Sequence, residues 1–489
     1  MCDTVLHGVS ARQNNLSEEN ILNFRALLIT TILLTPFAAI SQADTPPINV
    51  ADNVVQQLQD EALSSDLAWQ ILASLTSEVG PRMAGSEADE RAVKWAVDKM
   101  HSMGFDRVWT EPVTFPRWIR NSERAEVLMP GVQSLAITAI GGSPATGGPI
   151  EGEVIHFKSL ADLEAAAIDE VQGKIVFLST RMLKTREGSG YGKVVVNRSS
   201  GPFVAAEKGA KALLIRSVGT DSDRLPHTGI MSGSTPGARV PSAAVSNPDA
   251  DNLLVMLGGE APVIVRMNLD VGFDGEATSY NVIGEFDGSE DLPGRILLGA
   301  HLDSWDLGTG AVDDGAGVAL VMAAAKMVAG LAQRPRHGTR VVLYANEEQG
   351  VYGGKAYAKE HETELDRHLV GAESDLGAGL IYSFTARVLP QAEPMIARLA
   401  VHLQKLGIEY DHSGLAGGGA DVGQMRRLGM PAIDLNQDAS RYFDLHHTAN
   451  DTLDKVDPQE LRQNLAAWVT LTYLTASSTV AVGPVEPSE

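Results

Sequence analysis

Residues 299–317, GAHLDSWDLGTGAVDDGAG, decide the fold and the chemistry that we expect of this chain. The apolar run RILL directly before them has the composition of a buried strand. The loop beyond that strand carries His301, Asp303, Asp313 and Asp314. Open α/β sheets bind ligands beyond the carboxyl ends of their strands, and imidazole together with carboxylate groups suits a divalent metal ion. This segment alone therefore predicts either a metal site or a solvated acidic loop.

The chain around this segment alternates between predicted strands and predicted helices from Tyr280 onward. The predicted strands are YNVIGEF, RILLGAHLDS, TRVVLYANEE, LVGAESD and PAIDLN. Helical patterns lie over residues 315–329, 354–361, 394–407 and 458–476. Strands that alternate with helices form a mostly parallel sheet with helices on its faces. We therefore predict an α/β fold with a mostly parallel, mixed sheet, on which the helical segment 50–103 also packs.

Residues 122–270 have a different character, with many Val, Ile, Gly and Pro residues and short alternating runs such as GEVIHF, GKIVFLS and APVIVRMNL. We predict a β-rich domain inserted into a catalytic domain whose two parts are residues 44–121 and 271–480. Within it, AAEKGAKALLIRS resembles the protease-associated domain that several exopeptidases carry. The alternative is that this region simply extends the catalytic sheet. Residues 481–489 are predicted to be a disordered tail.

The first 43 residues are predicted to form a signal peptide region. Residues 25–43, RALLITTILLTPFAAISQA, combine a basic residue, an apolar stretch and small residues before Asp44. A membrane anchor is the alternative, but the apolar stretch is short and Pro36 interrupts it. Cleavage after Ala43 would remove Cys2, the single cysteine, so cysteine chemistry and disulfides are excluded from the mature chain. We therefore expect an exported protein, secreted or periplasmic.

The composition excludes several classes of partner. The chain has 39 basic and 62 acidic residues and a formal net charge of −23, which repels nucleic acid and anionic lipid. A hydrophobic fraction of 44% and a charged fraction of 21% are typical of soluble globular proteins. We therefore expect no nucleic-acid partner and no stable membrane insertion once the signal is removed.

Four further groups of acidic and imidazole residues follow predicted strands or lie in loops. They are Glu347 with Glu348, Asp375, Asp421, and His446 with His447. Each group alone has an ordinary explanation as a solvated surface feature. Together they recur at successive strand ends, which converge at one edge of a parallel sheet. The joint pattern therefore favours a metal site over a set of unrelated surface residues.

The motifs GAHLDSWD, AVDDGAG, NEEQGVYGG, ESDLGAG and HHTANDT occur in this order. As a set they resemble the dizinc exopeptidases, the superfamily of aminopeptidases, glutamate carboxypeptidases and transferrin receptors, over essentially the whole mature chain. The resemblance implies a zinc exopeptidase fold and two Zn²⁺ per chain. It implies that Asp313 bridges the two ions, with His301 and Asp375 on one ion and Glu348 and His447 on the other.

The resemblance also implies roles for the neighbouring residues. Glu347 would act as the general base on a hydroxide held between the metals, and the Asp303 carboxylate would fix the tautomer of the His301 ring. Local composition alone does not separate Asp313 from Asp314, or His447 from His446; the family pattern favours Asp313 and His447. Asp314 is then expected to cap the following helix.

Substrate contacts are predicted at a second place in the chain. Asp421 and the glycines Gly418 and Gly419 correspond to the substrate-side loop of the family, where a carboxylate could receive a free amino group. A simple turn with Asp421 as a helix cap is the alternative. Tyr442 could line a side-chain pocket, or it could pack in the core.

The function that the resemblance implies is hydrolysis of dipeptides or short peptides by a zinc-dependent exopeptidase. Within the family, a closer resemblance to the carboxypeptidase members favours a dipeptidase or carboxypeptidase, but the motifs shared with the aminopeptidases do not separate the two, and an aminopeptidase remains open. A receptor-like binding protein would require lost ligands, and all of them are present. A glutaminyl cyclase type of acyl transferase is disfavoured because it lacks such a large insert. A homodimer is expected from the resemblance alone.

Overall fold

The computed structural model describes residues 50–231 and 238–487, so the predicted signal peptide, residues 1–43, lies outside the described part. The helices are α1 (Val50–Ser64), α2 (Leu67–Glu78), α3 (Glu87–Met103), α4 (Leu160–Ala165), α5 (Ile168–Val171), α6 (Gly190–Val194), α7 (Val196–Ser199), α8 (Gly201–Glu207), α9 (Asn247–Leu257), α10 (Ala316–Ala329), α11 (Tyr352–Glu360), α12 (Glu393–Gln404), α13 (Val422–Arg427), α14 (Tyr442–Leu445) and α15 (Pro458–Ala476).

The strands are β1 (Arg107–Met129), β2 (Gln133–Leu135), β3 (Ile137–Ala139), β4 (Ile150–Phe157), β5 (Ile175–Leu178), β6 (Ala212–Arg216), β7 (Ser242–Val245), β8 (Ile264–Phe286), β9 (Arg295–His301), β10 (Thr339–Tyr344), β11 (His368–Glu373), β12 (Ile381–Arg387), β13 (Glu409–Tyr410) and β14 (Ala432–Gln437). They hydrogen-bond in the order β13-β12-β14-β11-β9-β10-β8-β4-β5-β6-β7-β3, and β1 pairs with β8.

The half of the sheet that belongs to the predicted catalytic domain, from β8 to β14, contains both parallel and antiparallel strand pairs. Its central strands β10, β9, β11 and β14 are parallel neighbours, whereas β8 pairs antiparallel with β10 and β12 pairs antiparallel with β14. Helices cover this half: α10 packs on α2 and α15, while α11 packs on α13. The predicted α/β fold with a mixed, helix-covered sheet is confirmed.

The helix boundaries follow from local chemistry. The Ser86 side chain accepts a hydrogen bond from the Asp89 N–H at the start of α3, and Gly104 ends that helix in the left-handed conformation that glycine adopts without a Cβ penalty. At the start of α15, Asp457 accepts hydrogen bonds from the N–H groups of Gln459 and Glu460. Almost every residue of α10 is buried, which explains why this helix is apolar on all sides.

Residues 122–270, here called the middle region, are joined to the catalytic sheet rather than separated from it. Strands β1 and β8 are 23 residues long and pair antiparallel from Arg107 with Glu285 to Met129 with Ile264. The early part of β8 pairs with β4, from which β5, β6 and β7 continue as parallel neighbours. By their internal contacts, the described residues 50–231 and 238–487 belong to one compact unit. The inserted domain therefore stays a prediction, and its β-strands alternate with helices.

Two sequence expectations differ from the structure. Strand β12 was not expected, and it makes this part of the sheet antiparallel. The tail was expected to be disordered, but its described part is held against the fold: Val482 is buried and its C=O accepts from the Leu389 N–H, and the Val485 N–H donates to the Gly429 C=O. The apolar side chain at Val482 explains why this segment packs.

Candidate metal centre

The parallel strands bring the predicted ligands to one edge of the sheet. His301 is the last residue of β9, Glu347 and Glu348 follow β10, and Asp375 follows β11. Asp313 lies in an irregular turn, Ala311–Gly315, between β9 and α10. Because β9, β10 and β11 are parallel neighbours, their carboxyl ends meet at the same edge.

One group of possible ligands consists of His301, Asp313 and Asp375. The His301 Nε2 atom lies 3.0 Å from Asp313 Oδ1 and 3.3 Å from Asp375 Oδ1. One donor atom from each of the three residues lies within 4.8 Å of the others. These short separations leave one carboxylate oxygen from each acid and one ring nitrogen facing a common point.

The other carboxylate oxygen of Asp313 faces a second group. His447 Nε2 lies 3.3 Å from Asp313 Oδ2 and 2.9 Å from Glu348 Oε2. The neighbouring His446 stacks on His447 with ring centroids 3.5 Å apart, and its Nε2 is 3.6 Å from Asp313 Oδ2. His446 also satisfies the geometric requirement for a ligand with Asp313 and His447, but only His447 also reaches Glu348. Asp313 thus lies between two sets of donors, as a bridging carboxylate must.

The chemistry of this donor set fits divalent cations. Asp313 Oδ2 and Glu348 Oε1 are buried and accept no hydrogen bond from the described residues. Burial raises the pKa of Glu348 to about 7, with the Asp313 charge acting in the same direction. Burial lowers the pKa of His447, but the carboxylates of Glu348 and Asp313 outweigh it and raise that pKa to about 9. Positive charge at this site would therefore stabilise the buried carboxylates, and bound metal ions supply such charge.

Asp314 and Asp451 hold the turn that presents Asp313. Asp314 Oδ1 accepts from the Gly317 N–H at 3.0 Å, so it caps α10, and its Oδ2 accepts from the His301 N–H at 3.2 Å. Asp451 accepts hydrogen bonds from the N–H groups of Ala311, Val312 and Asp313. Sequence reasoning did not single out Asp451, although it lies within the quoted motif HHTANDT.

Asp303 acts through different atoms from those expected. Its carboxylate Oδ1 is 3.6 Å from His301 Nδ1, whereas its backbone C=O accepts from that ring nitrogen at 3.1 Å. The carboxylate instead accepts from the Glu347 N–H at 3.0 Å and the Glu348 N–H at 3.4 Å. The expectation that the carboxylate fixes the His301 tautomer is therefore corrected: the carbonyl does so, because the carboxylate is turned toward the loop after β10.

Glu347 is half-buried beside the metal ligands. Among the described residues, none donates a hydrogen bond to its carboxylate, so that group is free to face a substrate or a water molecule. Burial and the charge of Asp375 raise the pKa of Glu347 well above its usual range. A carboxylate with a raised affinity for protons, next to metal ligands, suits a general base.

The predicted substrate loop lies against the sheet. Asp421 is 1% exposed, and its Oδ1 accepts from the Gly354 N–H at 2.8 Å while Oδ2 has no partner in the described structure. Its side chain does not cap α13; the Glu373 carboxylate accepts from the first N–H groups there instead. Gly418 donates to Asp434, and a Cβ on Gly419 would meet the Glu373 carboxylate at 2.4 Å. These contacts give Asp421 and both glycines structural roles, and substrate contact stays a prediction.

Tyr442 is buried and packs between its neighbours. Its ring lies 5.0 Å from the rings of Phe443 and His446. It also lines a cavity of about 310 Å³ together with Val312 and Gly377. Both readings of Tyr442, core packing and pocket wall, agree with this position.

The middle region contributes residues that sequence reasoning did not assign to the site. Thr228 and Arg198 contact His447, and His227 contacts the backbone of His446. The histidine–threonine pair belongs to the segment PHTGI. No local pattern could have placed it there, because these contacts join positions more than two hundred residues apart.

A metallopeptidase requires ligands for a divalent metal ion and a free carboxylate beside them, and this site has both. Comparison with known proteins also indicates a metallopeptidase. Residues 281–472 match peptidase family M28, and the chain belongs to this family. It is a zinc-dependent metallopeptidase of the exopeptidase type, and its resemblance to the dizinc exopeptidases is confirmed.

Its relatives include carboxypeptidase Q from several vertebrates. The chain is 32% identical to carboxypeptidase Q of Xenopus laevis, with 88% of this chain and 89% of the relative covered. It is 31% identical to that of Homo sapiens, with 84% and 85% covered. The crystal structure of a peptidase M28 precursor from Shewanella amazonensis SB2B has a TM-score of 0.87 and 47% identity over 90% of this chain and 99% of that one.

Proposed function

We propose that this chain is an exported dizinc exopeptidase that hydrolyses dipeptides or short peptides, with the specificity of a dipeptidase or carboxypeptidase such as carboxypeptidase Q. The observation that carries the proposal is the position of Asp313, whose two oxygens face His301 and His447. A carboxylate shared between two separate donor sets is suited to two metal ions rather than one.

The proposal assigns five residues to the metals. Asp313 would bridge the two zinc ions, with two ligands from other residues on each ion: His301 and Asp375 on one, Glu348 and His447 on the other. When bound, the zinc ions would activate water and polarise the scissile carbonyl group. The same donors could accept cobalt or manganese, so metal content is part of the test below.

The chain's own groups then move the proton. The Glu347 carboxylate takes a proton from the attacking water and gives it to the amine that leaves. The Asp303 carboxylate accepts hydrogen bonds from the N–H groups of Glu347 and Glu348, which holds the backbone that carries the base and the metal ligand. The backbone of the base is therefore ordered before substrate binds.

Further parts of the proposal concern the setting of the enzyme. We propose export on the leader of residues 1–43 and assembly as a homodimer. None of the helices in residues 50–231 and 238–487 combines the length and the apolar character that crossing a lipid bilayer requires. We propose that the carboxyl end of the peptide must be free, and an aminopeptidase is the alternative outcome.

The test uses purified residues 44–489. Zinc per chain is measured by elemental analysis, and the same preparation is assayed on dipeptides with both ends free, with a blocked amino end and with a blocked carboxyl end. We expect about two zinc ions per chain and cleavage that fails when the carboxyl end is blocked. Failure with the amino-blocked member alone would identify an aminopeptidase. One tight ion at saturation, or no hydrolysis with zinc restored, would refute the proposal.

A further inference from the structure

A segment of the middle region, residues 221–229, forms hydrogen bonds with the loop that carries His447. We propose that this segment positions His447 for metal binding, so that one of the two metal ions depends on the middle region as well as on the catalytic sheet. The inference rests on the proposed function in that it takes His447 and Glu348 as ligands of one zinc ion.

Thr228 makes the central contact through its backbone. Its N–H donates to the His447 C=O at 3.0 Å, and its own C=O lies 3.2 Å from His447 Nδ1. A carbonyl oxygen can only accept, and the Thr228 oxygen lies closer to Nδ1 than Arg198 Nη1 does at 3.5 Å, so the hydrogen of the neutral ring is placed at Nδ1. The Nε2 atom then faces Glu348 and Asp313. The backbone of Thr228 thus fixes both the orientation and the tautomer that a metal ligand requires.

The same loop is also held one residue earlier. The ring of His227 is 1% exposed, with Nδ1 2.7 Å from the His446 C=O and Nε2 2.7 Å from Asp221 Oδ1. Asn247 donates to the same Asp221 oxygen at 3.1 Å. His227 therefore links the His446 backbone to a carboxylate that is itself anchored in the middle region.

His447 needs this support because its backbone is in an unfavourable conformation. Its φ of +62° lies in the left-handed region, which residues with a Cβ seldom adopt. Such a conformation persists only where surrounding contacts determine it. The contacts from Thr228 and His227 lie on the two peptide groups beside the His447 Cα, where they oppose relaxation of this φ angle.

Gly229 and Arg198 show that the segment fits closely behind the ligand. A Cβ on Gly229 would lie 2.1 Å from the Arg198 guanidinium and 2.8 Å from His447 Nδ1, and Gly229 has a φ of +130°. Arg198 is 4% exposed, and its Nη1 donates to the Thr228 C=O at 3.1 Å. The carbonyl that orients His447 is thus itself held by a buried cation, and only glycine permits the approach.

His227 is therefore a positioning residue for the metal centre. Loss of residues that orient a metal ligand typically costs about 10- to 100-fold in metal affinity. His227→Ala should weaken one zinc ion by about that factor. The ion assigned to His301 and Asp375 should be unaffected, because no contact of His227 reaches those residues in the described structure.

The experiment is a zinc titration of the metal-free mature chain in competition with a chelator, which resolves two binding steps. His447→Ala assigns one step by abolishing it. In His227→Ala we expect that same step to weaken about 10- to 100-fold, with the other step unchanged. The visible spectrum of Co²⁺ bound in that step should also change, since it reports ligand geometry rather than activity.

Matched variants separate positioning from general damage. His156 is a second histidine of the middle region, with its Nε2 2.7 Å from Ser179 Oγ, and His156→Ala should leave both steps intact. His227→Gln retains a donor for the His446 C=O and should recover part of the affinity. If His227→Ala does not fold, His227→Gln and Asp221→Asn supply the comparison.

The outcomes distinguish this inference from the function on which it rests. If His447→Ala keeps both steps, the proposed metal assignment is wrong. If His447→Ala loses one step while folded His227 variants bind zinc as the parent does, the positioning role of the segment is overturned.

Discussion

Replacing Glu347 with glutamine should separate catalysis from metal binding and from folding. Glutamine has the same shape, and the Glu347 N–H that donates to Asp303 is retained. No described residue donates a hydrogen bond to the Glu347 carboxylate, so the substitution breaks no contact within the described structure. It removes only a negative charge and the ability to take a proton.

The size of the effect follows from the role of a general base. Such a group contributes about 10²- to 10⁴-fold in rate, which corresponds to about 3 to 5 kcal/mol of barrier. Because burial and the charge of Asp375 disfavour the Glu347 carboxylate, the neutral side chain should leave the metal-free protein at least as stable as the parent.

The assay measures kcat on a dipeptide, zinc per chain and the thermal midpoint of the metal-free protein. Glu360→Gln, an exposed substitution on α11, is the matched control and should behave as the parent does. We expect Glu347→Gln to keep its zinc and its stability and to lose 10²- to 10⁴-fold in kcat. A kcat within about threefold of the parent, with zinc bound, would remove Glu347 from this role.

Four other predictions concern separate parts of the chain. Asp313→Ala should weaken both zinc ions, and retention of two tight ions by elemental analysis would contradict the bridge. Arg82→Met removes a buried guanidinium that donates to four backbone carbonyls, so chemical denaturation should show a loss of about 3 kcal/mol or more; an unchanged midpoint would count against this. Burial and Arg340 lower the pKa of His368 to about 3, so its folded form stays neutral while the unfolded form gains a proton below about pH 6.5. Stability should therefore fall below that pH by up to about 1.4 kcal/mol per pH unit, and His368→Gln should remove this component of the slope. Sequencing of the exported chain should begin at Asp44, and a start far from it would refute the cleavage site.

The sequence predicts the central strands well because they are short apolar runs that end in polar side chains. Parallel pairing then makes His301, Glu348 and Asp375 converge, which requires no knowledge of the exact register. Strand β12, with the sequence IYSFTAR, was missed because its polar residues alternate on an edge region instead of forming an apolar run. Such a segment is identified as a strand only by its partner β14.

Other features of the site depend on contacts that local patterns do not encode. The spacing of Asp303 from His301 suggested a carboxylate–imidazole contact, but the chain direction after β9 turns that carboxylate toward the N–H groups of Glu347 and Glu348. Strand β1 also contains Pro112 and Pro116, residues that in a sequence suggest interruptions of a strand. Proline is tolerated here because this part of β1 pairs with β8 on one side only. The short strand β2 pairs with the other side of β1 only near its end, at residues 125–127.

The long pairing of β1 with β8 has a consequence for biosynthesis. β1 leaves the ribosome long before its partner, because the whole middle region separates them in the chain. At about 5 to 20 residues per second, this interval lasts on the order of ten seconds or more. During that time β1 presents unpaired backbone groups that can pair with another chain. Its two prolines and its charged residues disfavour such pairing, so we expect them to limit aggregation of the nascent chain until β8 is synthesised.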